Sequence, residues 1–220
     1  MRERGRMSHL GFSKKWANSL AAVHDLDDEK EAMLAYAIEV LSITFLDIVL
    51  TLLVGWILGV FWNTVACLIT IAAFRHNAGG GHSESPWRCA LVTMTVFPLL
   101  ALAARYVSMW EPHYLNLISL ISITVGFALL IRYAPVDSPK SPIISPVRRR
   151  RLKNLALIIM GVISVVIVGL AFAGREWATE IHMCLALSVL WVSFNLTPWG
   201  HRLWCFIDGL GLKQERRCTN

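Results

Sequence analysis

The stretch ITIAAFRHNAGGGHSESPWRCALVTMTV, residues 69–96, holds an apolar run that stops at Phe74 and a second that resumes after Cys89. Between them, Arg75 to Cys89 packs three consecutive glycines, two histidines, two arginines, a glutamate, a proline and a cysteine. Reading the flanking runs as membrane spans decides the fold class. The chain is expected to be all-α and polytopic, with its reactive side chains gathered in one short connection.

Composition supports lipid as the solvent. Of 220 residues, 55% are hydrophobic and only 16% are charged, and the mean hydropathy is +0.54. Soluble domains carry about 25% charged residues. The nine tryptophans suit membrane interfaces. At roughly 20 residues per span, six helices and their connections use the whole length, leaving nothing for a separate soluble domain. Residues 1–30 are polar and charged, so a cleavable signal peptide is not expected, and the first apolar run should be retained as a span. The cysteines at 67, 89, 184, 205 and 218 form no framework spacing and are expected to be reduced thiols.

Residues 8–26 place Phe12, Trp16, Leu20 and Val23 at helical spacing beside Lys14 and Lys15, the pattern of an amphipathic helix lying on a membrane surface. Six apolar runs follow, at 35–58, 60–74, 89–108, 114–132, 154–174 and 178–197, and residues 198–220 read as a tail. The part of the second run from Trp62 to Phe74 makes only about 20 Å of helix against a core of roughly 30 Å. The polar connection is therefore expected to sink below the membrane surface, where irregular backbone needs protein or a water-filled cavity around it. With both termini on one side, 19 of the 21 Lys and Arg fall on that side, and only Arg105 and Arg175 on the other. The positive-inside rule then places the termini and the 75–89 connection in the cytoplasm. Four prolines at 135, 139, 142 and 146 favour extended backbone between the fourth and fifth runs. The run Arg148, Arg149, Arg150 and Arg151 that follows reads as an anchor on anionic headgroups or as a substrate-docking patch.

Ser85 suits a helix N-cap and Pro86 the first helical position, which puts Cys89 in the first turn of the third span. The partial positive charge of a helix N-terminus favours a thiolate, and Arg75 and Arg88 would add to that field. His82, seven residues earlier, is a candidate base for such a nucleophile. Gly79, Gly80 and Gly81 allow close backbone approach and N–H groups aimed at an oxyanion. Asp47 is expected inside the first span, about 80° around the helix from Glu39, and is placed to orient His82 or pair with Arg75. His76 and Asn77 are further candidates for a supporting role, while Cys67, His182 and Cys184 read as packing residues. His76, His82, Glu84 and Cys89 match no zinc spacing, so no metal or cofactor is expected.

The segment FRHNAGGGHSESPWRC, residues 74–89, resembles the signature of the accessory gene regulator B family of membrane peptidases. There a glycine-containing segment led by an arginine carries a catalytic histidine, with a catalytic cysteine seven positions later; His82 and Cys89 match. The segment YAPVDSPKSPI, residues 133–143, is similar to the family's cytoplasmic loop motif, and span number and chain length agree. The resemblance implies a cysteine endopeptidase of the plasma membrane, of a Gram-positive type of bacterium. It would cut a small amphipathic precursor peptide and cyclise the remainder, through an acyl-thioester, to a thiolactone or lactone pheromone for quorum sensing. It also implies a homodimer as a plausible assembly; the bilayer is the other partner, and no nucleic acid is expected. A small transporter or channel built around Glu39 and Asp47, or an anchoring module, is the alternative reading of the residues.

Overall fold

The computed structural model describes residues 27–80, 86–136 and 145–209, together with Gly11, Lys15, Trp16, Asn18 and Ser19. Seven long helices and no strand are found among them: α1 (Asp28–Ile57), α2 (Phe61–Ala78), α3 (Pro86–Val107), α4 (Pro112–Tyr133), α5 (Pro146–Ala171), α6 (Glu176–Leu196) and α7 (Pro198–Gly209). The chain divides into two units, residues 1–50 and 51–220.

In the first unit Gly11, Lys15, Trp16, Asn18 and Ser19, the described residues of the 8–26 segment, are helical, and Ser19 Oγ donates to Lys15 O at 3.0 Å. The body of α1 turns Leu41, Phe45, Ile48 and Val49 outward, a lipid-facing surface in a protein of this composition.

In the second unit α6 is the central helix, packed against α2, α3, α4, α5 and α7. Its sequence suits that place. Ala178, Cys184, Ala186, Ser188 and Ser193 are small and buried, so neighbouring backbones approach closely without a water-driven hydrophobic effect to hold them. Gly126 of α4 belongs to the same crossing: a Cβ there would lie 2.6 Å from Met160 Cε and 2.8 Å from Val189 Cγ1. Ser119 Oγ donates to Leu115 O at 2.9 Å and lies 2.6 Å from His182 Nε2, so the ring N–H donates to the hydroxyl. His182 is thus a satisfied core residue, as its sequence position suggested.

Among the described residues, five helices are long and apolar enough to cross a membrane: Lys30–Ile57, Trp87–Val107, Pro112–Tyr133, Pro146–Ala171 and Glu176–Leu196. The chain is a multi-pass membrane protein. The sixth expected span corresponds to α2, whose 18 residues make about 27 Å of helix. The apolar run ends at Phe74 as read, but the helix continues through Arg75, His76 and Asn77, since these side chains do not interrupt helical hydrogen bonding. The polar connection is therefore shorter than the sequence implied, with its first turn helical.

Two other boundaries differ from expectation. The fifth helix starts at Pro146 rather than near 154, because Ser145 Oγ accepts from Arg148 N–H at 3.4 Å and proline fits the first turn. The segment after 197 is no plain tail, since Pro198 opens α7, which packs back on α6. Cys67, Cys89 and Cys184 are free thiols, but Cys205 on α7 is disulfide-bonded, against the expectation of five reduced cysteines.

Candidate active site

The end of α2 with Gly79 and Gly80, the 134–136 segment and the α6–α7 junction meet at one end of the bundle. Arg75 stands in the last turn of α2, where a cation complements the C-terminal end of the helix dipole. Cys89 falls in the first turn of α3, as the Ser-Pro start predicted. Arg75 Nη2 donates to Cys89 Sγ at 2.9 Å. The half-buried thiol thus sits between a helix N-terminus and a guanidinium.

Beside this pair lies a cavity of about 240 Å³. Arg75 forms part of its wall, as do Val92 and Thr93, one turn along α3 from the cysteine. Thr93 Oγ1 donates to Cys89 O at 2.9 Å, which ties the first two turns of α3 together. Ile71, Phe97 and Val192 supply apolar wall.

Gly79 and Gly80 line the same cavity with φ of 70° and 117°, values that other residues rarely adopt. A Cβ on Gly79 would lie 2.5 Å from Val136 O. Val136 N–H donates to Ala78 O at 3.0 Å, so the end of α2 and the 134–136 segment are drawn together through backbone. Glycine is required here by close approach as well as by φ.

Of the other expected residues, Asn77 turns its amide back to Ala73 O at 3.0 Å and serves the end of α2. Arg88 does not join the thiol's field. It donates to Ile207 O at 3.2 Å and to Asp208 O, and lies 3.9 Å from the Asp208 carboxylate. It thereby caps α7, whose last carbonyls have no partners within the helix. Arg148, Arg149, Arg150 and Arg151 are exposed in the first turns of α5. Arg149 alone among them lines a second cavity, of about 290 Å³, with Tyr133 and His201. Val136 and Asn195 belong to both cavities, so the two share part of their wall. Asp47 is half-buried in the first unit. His82, Gly81 and the Ser85 cap lie outside the described residues.

Three residues of the site were not expected. Asn195, at the end of α6, accepts from Trp204 Nε1 at 2.6 Å through Oδ1 and donates from Nδ2 to Trp191 O at 2.8 Å. Trp204, buried on α7, and Trp191 complete the cavity wall. The available signal was the spacing of Trp199, Trp204, Phe206 and Ile207 after Pro198, which marks a short amphipathic helix.

Residues 13–196 match the model of a protein family described as accessory gene regulator B. The chain is 24% identical over 204 residues to a putative AgrB-like protein 2 of Clostridium perfringens (strain 13 / Type A), covering 90% of this chain and 95% of that one. It is 28% identical over 130 residues to a putative AgrB-like protein of Clostridium acetobutylicum, 59% of each chain. It is also 26% identical over 153 residues to the accessory gene regulator protein B of Staphylococcus aureus (strain MW2), 70% of this chain and 78% of the relative. No solved structure matches.

Proposed function

The chain belongs to the accessory gene regulator B family, and from that premise we propose that it is a membrane cysteine endopeptidase and cyclase maturing a quorum-sensing peptide. The observation that carries this reading is the Arg75 guanidinium 2.9 Å from Cys89 Sγ at the edge of a cavity. Cys89 is the nucleophile and His82 the base that takes its proton. The thiolate attacks the scissile carbonyl of a small amphipathic precursor, and Gly79, Gly80 and Gly81 offer backbone N–H groups to the oxyanion. The C–N bond breaks, the proton held by His82 passes to the departing amine, and the retained peptide stays on Cys89 as a thioester. A thiol or hydroxyl within that peptide then attacks the thioester carbonyl. The product is a thiolactone or lactone ring, and the Cys89 thiol is restored.

Cyclisation rather than hydrolysis follows from proximity and from water exclusion. Thioester exchange is nearly isoenergetic, so the tethered nucleophile must reach the carbonyl before water does. The apolar wall of Ile71, Phe97, Val192 and Trp204 limits water at the site. Arg149 and its neighbours would dock the precursor along the adjoining cavity. The lysine and arginine distribution supports a cytoplasmic side for this end, where a precursor is made. Co-expression of the cognate precursor with Cys89→Ala tests the assignment: tail removal should vanish, and undiminished removal would refute it.

A further inference from the structure

The end of the bundle away from Cys89 carries a third, larger cavity, of about 830 Å³. Its polar corner joins three helices. Asn63 Nδ2 of α2 donates to Glu180 Oε2 of α6 at 2.8 Å, and Arg105 Nε of α3 lies 4.0 Å from Glu180 Oε1. Arg105 Nη1 donates to Gly59 O at 3.2 Å. Below this corner the wall turns apolar, formed by Val65, Ala66 and Ile69 of α2. Trp56, Trp62 and Trp177 stand exposed at the rim.

We propose that this cavity holds one phospholipid whose headgroup joins a phosphodiester to an ammonium. Three observations select that chemistry. The corner carries both signs of charge, each partly open to the outside: the Arg105 side chain is 46% exposed and that of Glu180 31%. A guanidinium has five N–H donors in a plane that matches phosphate oxygens, and among the described residues the Arg105 contacts use only Nη1 and Nε. Glu180 then faces the ammonium, and the exposed indoles lining the same cavity are the groups that would add cation–π attraction. A purely anionic headgroup would set its second polar group against the Glu180 carboxylate with no such gain.

The apolar wall supplies the other half of the site. From Trp62 to Ile69 the groove descends about 10 Å along α2, enough for the upper part of an acyl chain. Ile69 is 66% exposed, so the groove opens sideways to lipid rather than into the core. A protein with five apolar crossing helices meets phospholipid at that opening whatever its orientation. The lipid fills the notch beside α2, whose apolar run is short for a span, and stays apart from the thiol chemistry at the opposite end.

Native mass spectrometry tests this on the full chain, purified and exchanged into mixed phosphatidylethanolamine and phosphatidylglycerol. The expected result is one retained lipid, with phosphatidylethanolamine favoured several-fold. Glu180→Gln, which keeps an acceptor for Asn63, should abolish the preference. Arg105→Gln should lower retention of both lipids about tenfold. Ile69→Trp, which fills the groove from its exposed side, should remove the bound lipid without loss of the helical circular dichroism signal. Equal retention of the two lipids by the unaltered protein would overturn the headgroup assignment. Retention unaffected by all three substitutions, or displacement of the lipid by the processed peptide, would overturn the site.

Discussion

The Arg75 guanidinium carries its donors in a fixed plane, and one of them lies 2.9 Å from Cys89 Sγ. A hydrogen bond to a charged group is worth about 1.5–3 kcal/mol, and each 1.4 kcal/mol is roughly a factor of ten. Arg75→Gln, which removes that donor, should therefore lower the rate of precursor cleavage by about tenfold or more. Unchanged cleavage would show that the guanidinium does not serve the thiol. Gly79→Ala introduces a side chain at φ 70°, and its Cβ would lie 2.5 Å from Val136 O. It should cost about 1–3 kcal/mol, read as a lower unfolding temperature, together with loss of precursor cleavage. The Cys89 position was legible in the sequence because Ser-Pro punctuates a helix start locally. Asn195 was not, since its role depends on Trp204 and the packing of α7 against α6.

At the scale of elements, α7 closes the site. Trp204 holds Asn195 from one side, and Arg88 holds the end of α7 from the other. Trp204→Ala removes a buried indole and should destabilise by roughly 3–5 kcal/mol; a thermal shift in detergent measures it. Arg88→Ala should loosen α7, seen as faster amide exchange over 198–209, while the Arg75–Cys89 contact persists. The crossing of α4, α5 and α6 at Gly126 gives a sharper case. Gly126→Val places methyls against Met160 and Val189 and should lower the unfolding temperature, whereas Gly161→Val on α5, with open space around it, should not. The apolar runs gave the helices readily because lipid-exposed spans need continuous apolarity. The starts of α5 and α7 were missed for a physical reason: arginines and a proline look like loop residues until a cap and a packing partner make them helical.

For the whole molecule, the alternation of the helices puts the 58–60, 108–111 and 172–175 turns at one end and the thiol at the other. If the basic residues set the orientation, reporter fusions after Met109 and after Gly209 should report opposite sides, with the Gly209 fusion cytoplasmic. What the sequence left open was how the connection at 75–89 becomes a site. That depends on long-range contacts, Val136 to Ala78 and the shared wall at Asn195, which no local pattern encodes. The proposed enzyme is distinguished from a transporter or anchor by a covalent bond to its substrate. The most direct measurement is intact-protein mass spectrometry after incubation with a precursor whose internal nucleophile is replaced by alanine. The account predicts a mass increase equal to the retained peptide acyl group, mapped to Cys89, cleaved by hydroxylamine and absent in Cys89→Ala. Tail removal with no adduct on Cys89, or an adduct that survives in Cys89→Ala, would contradict it.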